Sequence, residues 1–188
     1  MLDASRYATI VLCCGLSLLG LAVGGCSTVD SEPPTSTPGG LLETSRARYD
    51  AVLRTDGSAR WVVDVPYVTR NPTADTLVLV GCRTPPPPVL EKRVEGEWRT
   101  AYDPIRLQCL SPPWTIAPGE TRRDTFHVAA ALPGQNVAPV FDADEIEGTY
   151  RLRREVYRKT GPTPADDLVP PTELLSLEKR VSNTFELE

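Results

Sequence analysis

The stretch RWVVDVPYVT, Arg60 to Thr69, sets Trp61, Val63, Val65 and Tyr67 on alternate positions. Successive side chains of a β-strand point to opposite faces, so these four share one face and predict a strand with one side buried. Pro66 interrupts it without an N–H to give to a ladder, which marks an edge or a bulge. Working outward, Asn71-Pro72-Thr73-Ala74-Asp75 reads as a turn, and TLVLVG, Thr76 to Gly81, as the next strand, delivering the chain to Cys82. Upstream, Tyr49 to Arg54 predicts a further strand.

The rest of the chain repeats this grammar. VLEKRVEGEWRTAY is a hairpin signal, with Val89 to Val94 and Trp98 to Tyr102 flanking Glu95-Gly96, where Gly96 supplies the positive φ of a tight turn. Ile105 to Leu110 predicts a strand, and Pro118-Gly119 a turn ahead of another at Thr121 to Ala129. In EIEGTYRLRREVYR, Tyr150, Leu152 and Val156 alternate with Arg151, Arg153 and Glu155, and the closing VSNTFELE holds Val181, Phe185 and Leu187. Nineteen prolines, Pro85 to Pro88 among them, cut the chain into short pieces with no long helical period, so helix is the minority structure. Seven or eight short strands separated by turns predict an all-β fold, an antiparallel β-sandwich.

The N-terminus belongs to a different class of sequence. Residues 8–23, ATIVLCCGLSLLGLAV, are apolar apart from one serine and follow a short start carrying Arg6 and Asp3, the layout of a secretory signal peptide. The run ends in Val23-Gly24-Gly25-Cys26, which resembles the lipobox of bacterial lipoproteins. The resemblance implies removal of residues 1–25, acylation of Cys26 as the new N-terminus, and anchorage to a lipid bilayer, each buried methylene contributing about 0.8 kcal/mol. Ser27 after the cysteine implies outer-membrane sorting. Residues 26–42 then form the acylated cysteine and a tether of Ser, Thr, Pro, Gly and acidic side chains, too polar to bury a core, with a reach of roughly 20 Å. Residues 43–188 are one domain by length.

Three pieces in order, LEKRVEGEW (Leu90 to Trp98), IAPGET (Ile116 to Thr121) and GTYRLRREV (Gly148 to Val156), resemble the bacterial immunoglobulin-like domains of secreted proteins and lipoproteins. That resemblance implies an immunoglobulin-like sandwich and says little about function. Tyr150, two residues after Gly148 at a strand start, stands where a tyrosine corner would, with its hydroxyl bonded back to nearby backbone.

The formal net charge of −5 gives no electrostatic case for nucleic acid. With Cys13 and Cys14 removed and Cys26 acylated, Cys82 and Cys109 remain as a pair in an exported, oxidising setting. A disulfide between them would close a loop of about 28 residues and contribute about 3–4 kcal/mol in the loop-entropy picture. A metal or redox site lacks C-x-x-C spacing and a second histidine. His127 has no nucleophile at a recognisable spacing and reads as a strand histidine. DADEIE (Asp142, Asp144, Glu145, Glu147) lacks the glycine turn of a calcium loop and reads as solvated. The expectation is a non-enzymatic interaction or structural module of the envelope, without cofactor, binding an envelope protein. Its candidate contacts are Pro85, Pro86 and Pro87 and the outward Arg151 and Arg153, the latter two facing either an acidic partner or cross-strand glutamates such as Glu91. The alternative is a protease inhibitor acting through a rigid proline-rich loop, residues 82–92.

Overall fold

The computed structural model describes residues 40–81, 84–106, 111–143, 145–164 and 170–188. The strands in chain order are β1 (Leu42–Thr44), β2 (Arg48–Tyr49), β3 (Val52–Arg54), β4 (Arg60–Arg70) and β5 (Leu77–Leu79). Next come β6 (Val89–Val94), β7 (Glu97–Tyr102), β8 (Trp114–Ile116), β9 (Thr121–Ala131) and β10 (Gly148–Arg153). Finally β11 (Tyr157–Lys159) and β12 (Thr172–Leu174) precede a four-residue helix, α1 (Leu177–Arg180), and β13 (Phe185–Leu187). The chain is therefore all-β, with three sheets built mainly from antiparallel pairs.

The first sheet is organised by β4, which pairs along its whole length with β9, from Arg60 opposite Ala131 to Arg70 opposite Thr121. Its burial follows the alternation in the sequence: Val63, Val65, Tyr67 and Thr69 are buried, and Asp64 is exposed. On its other side β4 pairs with β3 through Val62 and with β1 from Tyr67 onward, leaving a gap around Pro66. The Pro66 carbonyl faces this gap, where it accepts the Ser45 N–H at 3.3 Å. N–H and C=O of one strand residue point the same way, so the proline's missing donor falls where no ladder runs. Pro66 thus sits at a local edge inside a central strand.

The second sheet has the order β2-β13-β10-β6-β7, with β2 parallel to β13 and the other pairs antiparallel. Its inner face meets the first sheet in one core that joins Leu42, Val63, Val65, Phe126 and Val128 to Tyr49, Leu90, Tyr102, Tyr150, Leu152 and Phe185. Burying a large apolar side chain of this kind contributes about 1.5–3 kcal/mol, so this interface carries most of the cohesion. The third sheet, β12-β11-β5-β8, covers a smaller core of Leu41, Leu77, Leu79, Ile116 and Val156. Leu41 is 1 % exposed and donates its N–H to the Lys179 carbonyl, so the fold takes up the chain just ahead of residue 43.

The β6–β7 hairpin turns through Glu95 (φ 54°) and Gly96 (φ 88°), both left-handed, the pattern of a type I′ turn. Several predicted elements are cut finer than expected. Tyr49 to Arg54 breaks into β2, which joins the second sheet, and β3, which stays in the first. The strand from Gly148 onward stops at Arg153, and the chain resumes as β11 in the third sheet. Ile105 and Arg106 are not in a strand, and residues 107–110 lie outside the described residues. The described residues hold thirteen strands in place of seven or eight, because short pieces of two or three residues pair with partners far away in sequence.

Candidate functional site

On the inner face of β4 and β9 the apolar pattern gives way to polar residues toward one end. Tyr67 stands opposite Asp124, and Thr69 opposite Arg122, in the same register that sets Val65 opposite Phe126. Leu79 from β5 and Trp114 and Ile116 from β8 form the facing wall, Pro85 closes one side, and together with Arg122, Arg123, Asp124 and Arg154 they line a cavity of about 120 Å³.

Arg154 is the centre of this arrangement. It comes from the break between β10 and β11, is 4 % exposed, and places its guanidinium 5.3 Å from the Tyr67 ring centre. Nη1 donates to Thr69 Oγ1 at 3.2 Å, and Nη2 to Tyr67 Oη at 2.8 Å and to the Pro86 carbonyl at 2.7 Å. Tyr67 passes the bond on, donating to Asp124 Oδ2 at 3.2 Å. The Arg154 Nε is buried without a partner, and no carboxylate among the described residues forms an ion pair with this guanidinium. Burial lowers the Arg154 pKa from its usual value, and the Tyr67 interactions oppose that shift. Burial also raises the Tyr67 hydroxyl, so it remains protonated and able to donate. At the rim, Arg122 packs 4.9 Å from the Trp114 ring and binds Glu120 at 2.6 Å, which holds that carboxyl below its ordinary pKa.

The residues named from the sequence fall in three places. Pro85, Pro86 and Pro87 are half-buried, with Pro86 tied to Arg154 and packed on Gly81, where an added Cβ would lie 2.8 Å from the proline Cδ. Val89, Leu90 and Glu91 are buried in β6. The described part of residues 82–92 therefore lies along the body of the domain. Arg151 and Arg153 both converge on Glu91, at 2.8 Å and 2.5 Å, and Arg151 also covers the Trp98 ring at 4.3 Å. The geometry is that of the cross-strand alternative: both arginines share one buried carboxylate. Cys26, Cys82 and Cys109 lie outside the described residues, as do Asp144 and the predicted signal peptide.

His127 is exposed on the outer face of β9 and bonds through Nδ1 to Asp64, its cross-strand neighbour. Of the acidic loop, Glu145 offers its carbonyl to Lys92 Nζ at 2.6 Å, and among the described residues no acidic, histidine or cysteine side chains gather as a metal site. Among the described residues no helix is long and apolar enough to cross a membrane.

The arginine site was missed in the sequence, although its signal is there. Arg154 shares parity with Tyr150, Leu152 and Val156, and the same holds for Arg122 and Asp124 relative to Phe126 and Val128. Charged residues on the parity of a buried face mark a place where the core opens into a polar pocket. The chain matches no protein-family model, no curated protein and no solved structure in the comparisons made.

Proposed function

We propose that the protein is a lipid-anchored lipoprotein of the bacterial envelope, probed by its partners through a non-enzymatic immunoglobulin-like module. The observation that carries the module reading is the strand order. One sheet holds β1, β4 and β9, and the other runs β2-β13-β10-β6-β7, so the N-terminal segment divides between the two sheets and its second part runs parallel to the last strand. This order supports reading the domain as immunoglobulin-like, with the hairpin β6–β7 and strands β10 and β13 on one face. The Tyr150 hydroxyl donates to the Ile146 carbonyl four residues upstream, the bond of a tyrosine corner.

The anchoring reading is supported by Val23-Gly24-Gly25-Cys26 at the end of an apolar run and by the polar tether behind it. The inhibitor alternative needs a loop that stands free to enter a protease cleft. The engagement of Pro86 by Arg154 and the burial of residues 88–91 work against it. Membrane fractionation tests the anchor: the native chain is expected with the membranes and Cys26→Ala in the soluble fraction or retained with its signal. Equal membrane association of a processed Cys26→Ala chain would overturn it.

A further inference from the structure

We infer that the cavity beside Arg154 binds a carboxylate, with its negative end toward the arginines and a short apolar stem against Leu79, Pro85, Trp114 and Ile116. This names a ligand for the folded domain and does not depend on the anchor. A buried guanidinium normally faces a carboxylate, because an unpaired charge away from water is costly. Among the described residues Arg154 instead has hydroxyl and carbonyl acceptors only, and its Nε has none.

Among the described residues, the charges lining the cavity leave one positive charge unanswered. Arg122, Arg123 and Arg154 line the cavity with Asp124, and Arg122 is paired with Glu120. Arg106, nearby, is paired with Asp103 at 3.2 Å. A single negative charge balances this set, whereas a doubly charged phosphate would meet Asp124. At about 30 Å³ per water, the volume of about 120 Å³ holds roughly four waters, or a carboxylate with a short alkyl group. Planar bidentate recognition of carboxylates is what arginine does best, and Arg123, exposed in β9, is among the residues that line the cavity.

Two sources share this chemistry, a free short-chain carboxylate and the C-terminal carboxylate of a peptide. The test is a titration of the ¹⁵N-labelled full chain in detergent at constant ionic strength, following the Arg154 Nε–H signal and the backbone amides of Thr69 and of residues 122–124. Butyrate is expected to move these signals saturably, while butyramide and inorganic phosphate leave them in place. Asp124→Asn, which removes the competing charge, is expected to tighten butyrate several-fold, and Arg123→Gln to weaken it several-fold. Both positions are at the rim, so the test survives if Arg154→Lys fails to fold. No saturable shift with butyrate, equal binding of butyramide or phosphate, or unchanged affinity in both variants would overturn the proposal. A tetrapeptide ending in valine binding tenfold tighter than its amide and than butyrate would identify a polypeptide C-terminus as the source. Butyrate binding as tightly as that peptide would identify a free carboxylate.

Discussion

Tyr150 does two jobs with one side chain. Its ring is fully buried between Phe141 and Phe185, and its hydroxyl holds the Ile146 carbonyl at the start of β10. Tyr150→Phe keeps the packing and strands that carbonyl, so it should cost about 1–2 kcal/mol, read from chemical denaturation at unchanged m-value. Burial raises the pKa of this hydroxyl far above 10, and burial also raises Tyr67 and Tyr102. Unfolded tyrosines release protons near pH 10 while these keep theirs, so the unfolded state binds fewer protons there and stability falls as pH rises. Denaturation midpoints should be flat below about pH 9 and drop above about pH 10, and Tyr150→Phe should shallow that drop. Glu91 is the other residue on which much depends, since Arg151 and Arg153 share its two oxygens. Glu91→Gln should destabilise by about 2–3 kcal/mol, because it weakens two charge-assisted bonds at a buried site. The outward direction of both arginines was legible in the alternation around Tyr150, and Arg154 was not, because a charged residue on the buried parity looks like noise until its acceptors are known.

At the scale of elements, the legible pieces are those whose signal is local. Period-two alternation found β4, and Glu95-Gly96 between two apolar runs found the β6–β7 hairpin. The short strands β8, β11 and β12 carry no such signal; β11 exists because Tyr157 and Arg158 meet Val78 and Leu77, some eighty residues earlier in the chain. The turn at Asn71–Asp75 was legible, and the structure adds what it does. Buried Asn71 donates through Nδ2 to the Asp75 and Ile116 carbonyls at 2.8 and 2.9 Å, accepts from Thr73, and so ties this turn to the one at Pro118-Gly119. Asn71→Ala removes both of these donated bonds and the acceptor for Thr73, and should cost on the order of 3 kcal/mol by thermal or chemical unfolding. Gly81→Ala should act differently, displacing the Pro86 ring and loosening its bond to Arg154. Hydrogen exchange should then rise at the Thr84 amide and at the Arg154 guanidinium, the four prolines between residues 84 and 89 having no amide to exchange, while the β4–β9 core stays protected.

For the molecule as a whole, the two long strands β4 and β9 and the five-stranded sheet opposite them make a core large enough to hold the smaller third sheet as an appendage. The edges are managed by covering and by charge. Ala131 exchanges bonds with Pro139 and Phe141, and the Asp142 N–H reaches the Ala101 carbonyl at 2.7 Å, which closes the seam between β9 and β7. Along β7 and its turn, Glu95, Glu97 and Arg99 are exposed and discourage a further strand from adding. The proposed tethered role in the envelope rests on the chemistry of a single cysteine, Cys26. The most direct test is intact-mass spectrometry of the membrane-extracted protein. The account predicts a chain that begins at Cys26 and carries the added mass of acyl groups on that residue; a chain retaining residues 1–25, or one with a free thiol at Cys26, would contradict it.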